Sequence, residues 1–165
     1  DDKSIRHKLT EQGFVALPVK KFKRYIYNLN GDSKSWLRLR TDGTMTTLTS
    51  KKYMSDSIDG VKELEITVSD FYKTNTLLKE LGYQPITYQE NRRTSLKQKG
   101  GSSEVSIDEW HKTHPYLEIE GRNTEAVKSL LDVLDVGHLT QTSAPTSEVY
   151  GRYGLTLAGF KNLSF

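Results

Sequence analysis

Two like charges separated by one aliphatic residue occur three times in this 165-residue chain: Arg38-Leu39-Arg40, Glu63-Leu64-Glu65 and Glu118-Ile119-Glu120. The neighbours of each triplet read as strand. Successive side chains of a strand point to opposite faces, so each triplet sends both charges one way and its Leu or Ile the other. Like charges on one face repel. The arrangement makes sense where a polyanion neutralises the arginines and metal ions neutralise the glutamates. Arginine offers a planar fork that binds phosphate oxygens bidentately and stays charged at any working pH, and glutamate is a hard oxygen donor of the kind magnesium and manganese prefer. The three triplets therefore predict a charged tunnel inside a β-barrel, with the aliphatic residues facing an outer hydrophobic layer. A single Arg-x-Arg or Glu-x-Glu is equally the exposed face of an amphipathic strand. It is the recurrence with mixed sign that points to a shared site.

The elements that would hold these residues can be read from periodicity. A short helix over 3–13 has Ile5 and Leu9 at helical spacing and stops at Gly13. Strands follow over 22–29 and 35–40, joined by the turn signal Asn30-Gly31-Asp32, and Asp42-Gly43 is the strongest hairpin signal, leading into a strand over 44–53. A polar loop over 55–60 precedes a strand over 62–68. Ser69 then reads as the N-cap of a helix with the apolar stripe Phe71, Leu77, Leu78 and Leu81, ended by Gly82. Three more strands are expected over 86–96, 104–108 and 116–120, with a Gly100-Gly101-Ser102-Ser103 turn between the first two. Asn123 or Thr124 caps a second covering helix, whose stripe is Ala126, Val127, Leu130, Leu131 and Leu134. The tail reads as helical from Pro145 through Tyr153 and irregular beyond. With no repeat and no long linker, residues 1–165 are expected to form one domain.

Composition narrows the function classes. Net charge is +3, and the basic excess is local, in Lys20, Lys21, Lys23 and Arg24 and again in Arg92, Arg93, Lys97 and Lys99. Such clusters suit anionic ligands, although each taken alone reads as a solvated strand end. A balance of 24 basic to 21 acidic residues, without helix-turn-helix, zinc-finger or RNA-recognition signatures, argues against nucleic acid as the partner. There is no cysteine and no apolar run of membrane-spanning length, so a cytoplasmic protein with no membrane partner is expected. The four histidines form no ligand constellation, and Trp36 and Trp110 read as packing residues before base-stacking ones.

The order of motifs resembles the CYTH superfamily of triphosphate tunnel metalloenzymes. Arg38-x-Arg40, Leu48-Thr49-x-Lys51, Glu63-x-Glu65, the Asn91-Arg92-Arg93 strand, Ile107-Asp108 and Tyr116 to Gly121 carry the likeness. It is nearest to small bacterial members labelled class IV adenylyl cyclases. The resemblance implies an α+β fold: an eight-stranded antiparallel barrel with covering helices. It also implies that Arg38, Arg40, Lys51 and Arg93 grip a triphosphate or nucleoside triphosphate, Arg92 being the alternative to Arg93. Glu63, Glu65, Asp108, Glu118 and Glu120 would then hold Mg2+ or Mn2+, with Asp108 alternatively orienting a basic residue. A metal-dependent triphosphatase is the leading activity, with adenylyl cyclase and a catalytically silent polyphosphate-binding module as alternatives. A homodimer is compatible with all three. Two departures stand out. The family's opening Glu-x-Glu-x-Lys strand is absent, so a strand preceding Asp1 is expected, and Asn91 stands where the family usually has Lys.

Overall fold

The computed structural model describes residues 2–29, 32–54, 61–143 and 145–165. In chain order the elements are α1 (Asp2–Glu11), β1 (Phe14–Ala16), β2 (Lys20–Leu29), β3 (Asp32–Thr41), β4 (Thr46–Tyr53), β5 (Val61–Val68) and α2 (Phe71–Glu80). They continue with β6 (Pro85–Gln98), β7 (Glu104–Trp110), β8 (Tyr116–Glu120), α3 (Thr124–Leu134), α4 (Thr146–Arg152), a 3-10 turn (Leu157–Gly159) and β9 (Asn162–Leu163). The predicted polar loop over 55–60 and the residues Asn30 and Gly31 of the first turn lie outside the described residues.

The strands form one sheet in the order β5-β4-β3-β2-β6-β7-β8, and β1 and β9 join β6 at its remaining edges. All pairings are antiparallel except β6 with β9. The predicted antiparallel α+β fold is present, and its sheet curls without closing. Two short strands, β1 and β9, were not legible. Three and two residues are too few for a period-2 pattern to register.

Residues opposite one another in register share a face, so the pairing alone sorts the side chains. Leu39 lies opposite Tyr25 and Leu48, while Arg40 lies opposite Arg24 and Thr47. The aliphatic and aromatic set faces outward, under helices over β2, β3 and β6 to β8. On β5, Leu64 of the glutamate triplet and Ile66 are exposed, so the expected outer hydrophobic layer does not reach that edge. Tyr27, Leu39, Phe71 and Leu78 form one buried cluster that fixes α2 over β2 and β3. Leu9, Phe14, Leu96, Val105, Leu130 and Leu134 form a second, holding α1 and α3 against the outer side of β6, β7 and β8. Each such leucine contributes about 2 kcal/mol by leaving water. A third cluster, Trp110, Tyr150 and Leu163, ties α4 and β9 to the end of β7.

Local details correct the sequence reading in two places. The N-cap of α2 is Asp70, whose carboxylate accepts from the Lys73 amide at 2.8 Å, because an Asp one residue nearer the helix reaches that donor where Ser69 does not. Leu77 and Leu81 are exposed. The position between them and Phe71 is taken by buried Asn75, which accepts a hydrogen bond from the Tyr27 hydroxyl at 2.8 Å. Gly82 ends the helix at φ +92°, as the left-handed stop requires. Asn123 caps α3, accepting from the Ala126 amide at 2.9 Å. The β3–β4 connection is a four-residue loop built on Asp42, whose Oδ1 accepts from the Thr44 amide, the Thr44 hydroxyl and the Met45 amide at 2.8–3.0 Å, with Gly43 at φ +91°.

Candidate active site

The opposite face of the curled sheet collects the charges. Register places Lys20, Phe22 and Arg24 of β2 on it, with Trp36, Arg38 and Arg40 of β3, Thr47, Thr49 and Lys51 of β4, and Glu63 and Glu65 of β5. From the other wing come Gln89, Asn91 and Arg93 of β6, Glu104, Ser106, Asp108 and Trp110 of β7, and Tyr116, Glu118 and Glu120 of β8. All four predicted basic residues and all five predicted acidic ones therefore lie on one face. Arg92 points to the other side and lies over the Phe165 ring at 4.4 Å, which separates it from Arg93.

Most of these charges are locked in pairs. Arg38 meets Glu65 at 3.4 Å, and the Thr49 hydroxyl also donates to Glu65 at 2.5 Å. That hydroxyl bond is the first cause of the lowered Glu65 pKa, with Arg38 and Arg40 adding to it against the opposing effect of burial. Lys51 bonds Glu63. Arg93 is the best-held cation: its Nε and one terminal nitrogen grip the fully buried Asp108 at 2.9 and 2.5 Å, and it reaches Glu118 at 2.6 Å. Burial pushes the Arg93 pKa down, but the bonds to Asp108 and the charges of Asp108 and Glu118 more than offset it, leaving Arg93 above its ordinary value. Asp108, engaged by Arg93 and by the Asn91 amide at 3.0 Å, is placed to orient these residues. The orienting alternative is the one its geometry supports.

Arginines also crowd one another. Arg24 and Arg40 are directly opposite in register. Burial, then Arg40 and Arg38, brings Arg24 down to about 9, still charged at neutral pH, and Arg40 is lowered first by burial and next by Arg38. Buried Nε atoms of Arg24 and Arg38 have no hydrogen-bond partner among the described residues. A face that holds these guanidiniums together and leaves two of their donors unsatisfied is organised for an anion.

The carboxylates divide between the two open edges. Glu63 and Glu65 stand on β5. Asp108, Glu118 and Glu120 lie on the β7–β8 wing, and there Glu104 sits directly opposite Glu120. Burial raises the Glu118 pKa, Arg93 pulls it down, and Asp108 and Glu120 push it up again, for a net rise. Among the described residues no three His, Asp or Glu side chains converge on one metal position.

Sequence reasoning missed Arg24, Lys20 and Glu104. Arg24 and Lys20 belong to a basic cluster that suits an anionic ligand but, taken alone, reads as a solvated strand end, and they share parity with Phe22. Counting alternate positions along β2 would have put both beside the arginine pair. Lys20 is tied to Asp42 at 2.5 Å. Glu104 shares parity with Asp108 in the same way.

A model of the CYTH domain family matches residues 1–146. The chain belongs to that family. Among solved structures it is similar to a candidate adenylate cyclase from Vibrio parahaemolyticus, at 10% identity and a TM-score of 0.71 over 92% of both chains. It is also similar to PH1819 from Pyrococcus horikoshii, at 19% identity and a TM-score of 0.67 over 93% of this chain and 95% of that one. A third is HpAC1 from Hippeastrum, a candidate adenylyl cyclase described as having a dominant triphosphatase activity, at 18% identity and a TM-score of 0.57 over 93% and 92%. No curated protein matches significantly. The structural likenesses establish the fold, and the family match places the chain in an enzyme family that binds triphosphates and generally depends on metal. No helix among the described residues is long and apolar enough to cross a membrane.

Proposed function

We propose that the chain is a metal-dependent triphosphatase acting on inorganic or nucleoside triphosphate within the concave face of the sheet. The observation that carries this is the gathering of Arg24, Arg38, Arg40, Lys51 and Arg93 on one face between two carboxylate-bearing edges. Arg40 and Arg38 bind non-bridging oxygens of the phosphate chain, Lys51 adds a point charge, and Arg93, aimed by Asp108, takes the oxygens nearest β7. Stabilisation of charge on those oxygens is the main catalytic demand of phosphoryl transfer, and prepositioned guanidiniums meet it without reorganising.

The donor chemistry of the β7–β8 wing fits a hard divalent cation such as Mg2+ or Mn2+. Glu118 is pushed toward protonation by burial and by Asp108 and Glu120 against the pull of Arg93, a penalty that a cation removes, while Glu104, opposite Glu120, is already paired with Lys97 at 3.0 Å. Glu118 and Glu120 are the residues that would hold it, and it would supply Lewis-acid polarisation of a phosphoryl oxygen. Cyclisation is the second reading, because Trp36, half-buried on the same face, offers a ring on which a nucleotide base can stack, whereas Trp110 is buried and already covered by Arg24.

Incubation with ATP and with tripolyphosphate, each with magnesium and with manganese, followed by separation of phosphate, pyrophosphate and cyclic AMP, tests this. Phosphate release from either substrate is expected. Cyclic AMP as the main product would replace hydrolysis with cyclisation, and triphosphate binding without any product would leave a silent binding module.

A further inference from the structure

Two cations of the basic face, Arg24 and Arg40, lack a carboxylate partner among the described residues, and of the two Arg24 is held in a clamp of neutral groups. Arg38, Lys51 and Arg93 are each paired with a carboxylate. Arg24 is not: among the described residues its hydrogen-bond partner is the neutral Oδ1 of Asn91, and its guanidinium lies 4.6 Å over the Trp110 ring. The clamp is built from both sides. Asn91 Nδ2 donates to Asp108 Oδ1 at 3.0 Å, so the amide oxygen is turned toward Arg24. Trp110 is in turn wedged against Tyr150, with ring centroids 6.2 Å apart in an edge-to-face arrangement. A neutral amide and an aromatic face aim a guanidinium without cancelling its charge. That charge stands directly opposite Arg40, an arrangement that costs free energy unless an anion lies between or beside them.

We infer that Arg24 is a phosphate-contacting residue, with Asn91 and Trp110 as the positioning residues that present its uncompensated charge to the phosphate chain. This role rests on the triphosphate function proposed above. Asn91 occupies the position where the resemblance expects a lysine, on the strand next to β2. A lysine there would bring its ammonium to the region the Arg24 guanidinium now fills, so the positive charge is carried from β2 instead of β6.

The test is calorimetric titration of sodium tripolyphosphate into wild type, Arg24→Gln, the double variant Arg24→Gln/Asn91→Lys, and Arg92→Gln. Arg24→Gln is expected to lose about tenfold or more in affinity, the worth of a charge-assisted hydrogen bond. The double variant regains most of that loss. Arg92→Gln removes the same charge from the outer face and stays near wild type. Equal affinity of Arg24→Gln and wild type overturns the role of Arg24 alone, as does an equal loss in Arg92→Gln. Failure of wild type to bind overturns the triphosphate function and this role with it. A readout that leaves Arg24 in place guards against misfolding of the variant. In Trp36→Phe, Trp110 is the single tryptophan. Its emission shifts on saturation with tripolyphosphate if the anion engages Arg24, and an unchanged emission at saturation overturns the proposal.

Discussion

Among the charged side chains, burial and pairing separate roles that residue type alone leaves together. Arg40 has no carboxylate partner among the described residues and lies against the Phe22 ring at 5.3 Å, so its charge is open to a ligand. Arg40→Ala is expected to weaken tripolyphosphate affinity about tenfold or more, measured by titration calorimetry with the fold checked by circular dichroism. Glu118→Ala and Glu120→Ala are expected instead to raise the magnesium or manganese concentration needed for half-maximal turnover, with triphosphate affinity less affected. If neither the arginine nor the glutamates mattered in a folded protein, the basic face would not be the site. Arg38, Arg40 and the glutamate pairs were legible because strict alternation marks them. Arg24 was not, because three lysines around it make the segment look like solvated charge, and register with the partner strands places Lys20 and Arg24 of the four on the charged face.

The β3–β4 hairpin is the element whose stability depends most visibly on one side chain. Burial would raise the Asp42 carboxyl, but the Lys20 ammonium and the Met45 and Thr44 donors outweigh it and hold Asp42 well below the usual carboxylate range. A depressed carboxyl contributes stability that is present above its unfolded pKa and lost as pH falls through the folded one. Asp42→Asn is therefore expected to cost about 2 kcal/mol at pH 7, the scale of hydrogen bonds to a charged group. The gap to wild type should narrow as pH falls below about 4, followed by denaturant melts across that range. A gap constant with pH would mean that the turn geometry and not the charge is responsible. Asp42-Gly43 announced this hairpin in the sequence. The α2 cap and stripe were less legible, since a Ser-Asp pair offers two caps, and the exposed Leu77 and Leu81 mimic a core face until the sheet beneath selects Phe71, Asn75 and Leu78.

Across the molecule, the C-terminal tail closes one end of the charged face from outside the strands that carry it. Leu163 is fully buried with Trp110 and Tyr150, and the Tyr150 hydroxyl donates to the His111 carbonyl at 2.6 Å. Leu163→Ala is expected to destabilise the fold by about 2–5 kcal/mol and to red-shift Trp110 emission, and loss of stability without that shift would detach the tail from the site. Alternation of charge and aliphatic residue by itself determined the strands, the face each charge shares with its neighbour two residues away, and the family, because these are properties of contiguous chain with a fixed period of two. Only the tertiary structure decided which strands lie side by side, and with that which charges are paired, which are crowded and which are left open. Arg24 meets Asn91 across 67 positions of sequence and Arg93 meets Glu118 across 25, and no local pattern encodes such meetings.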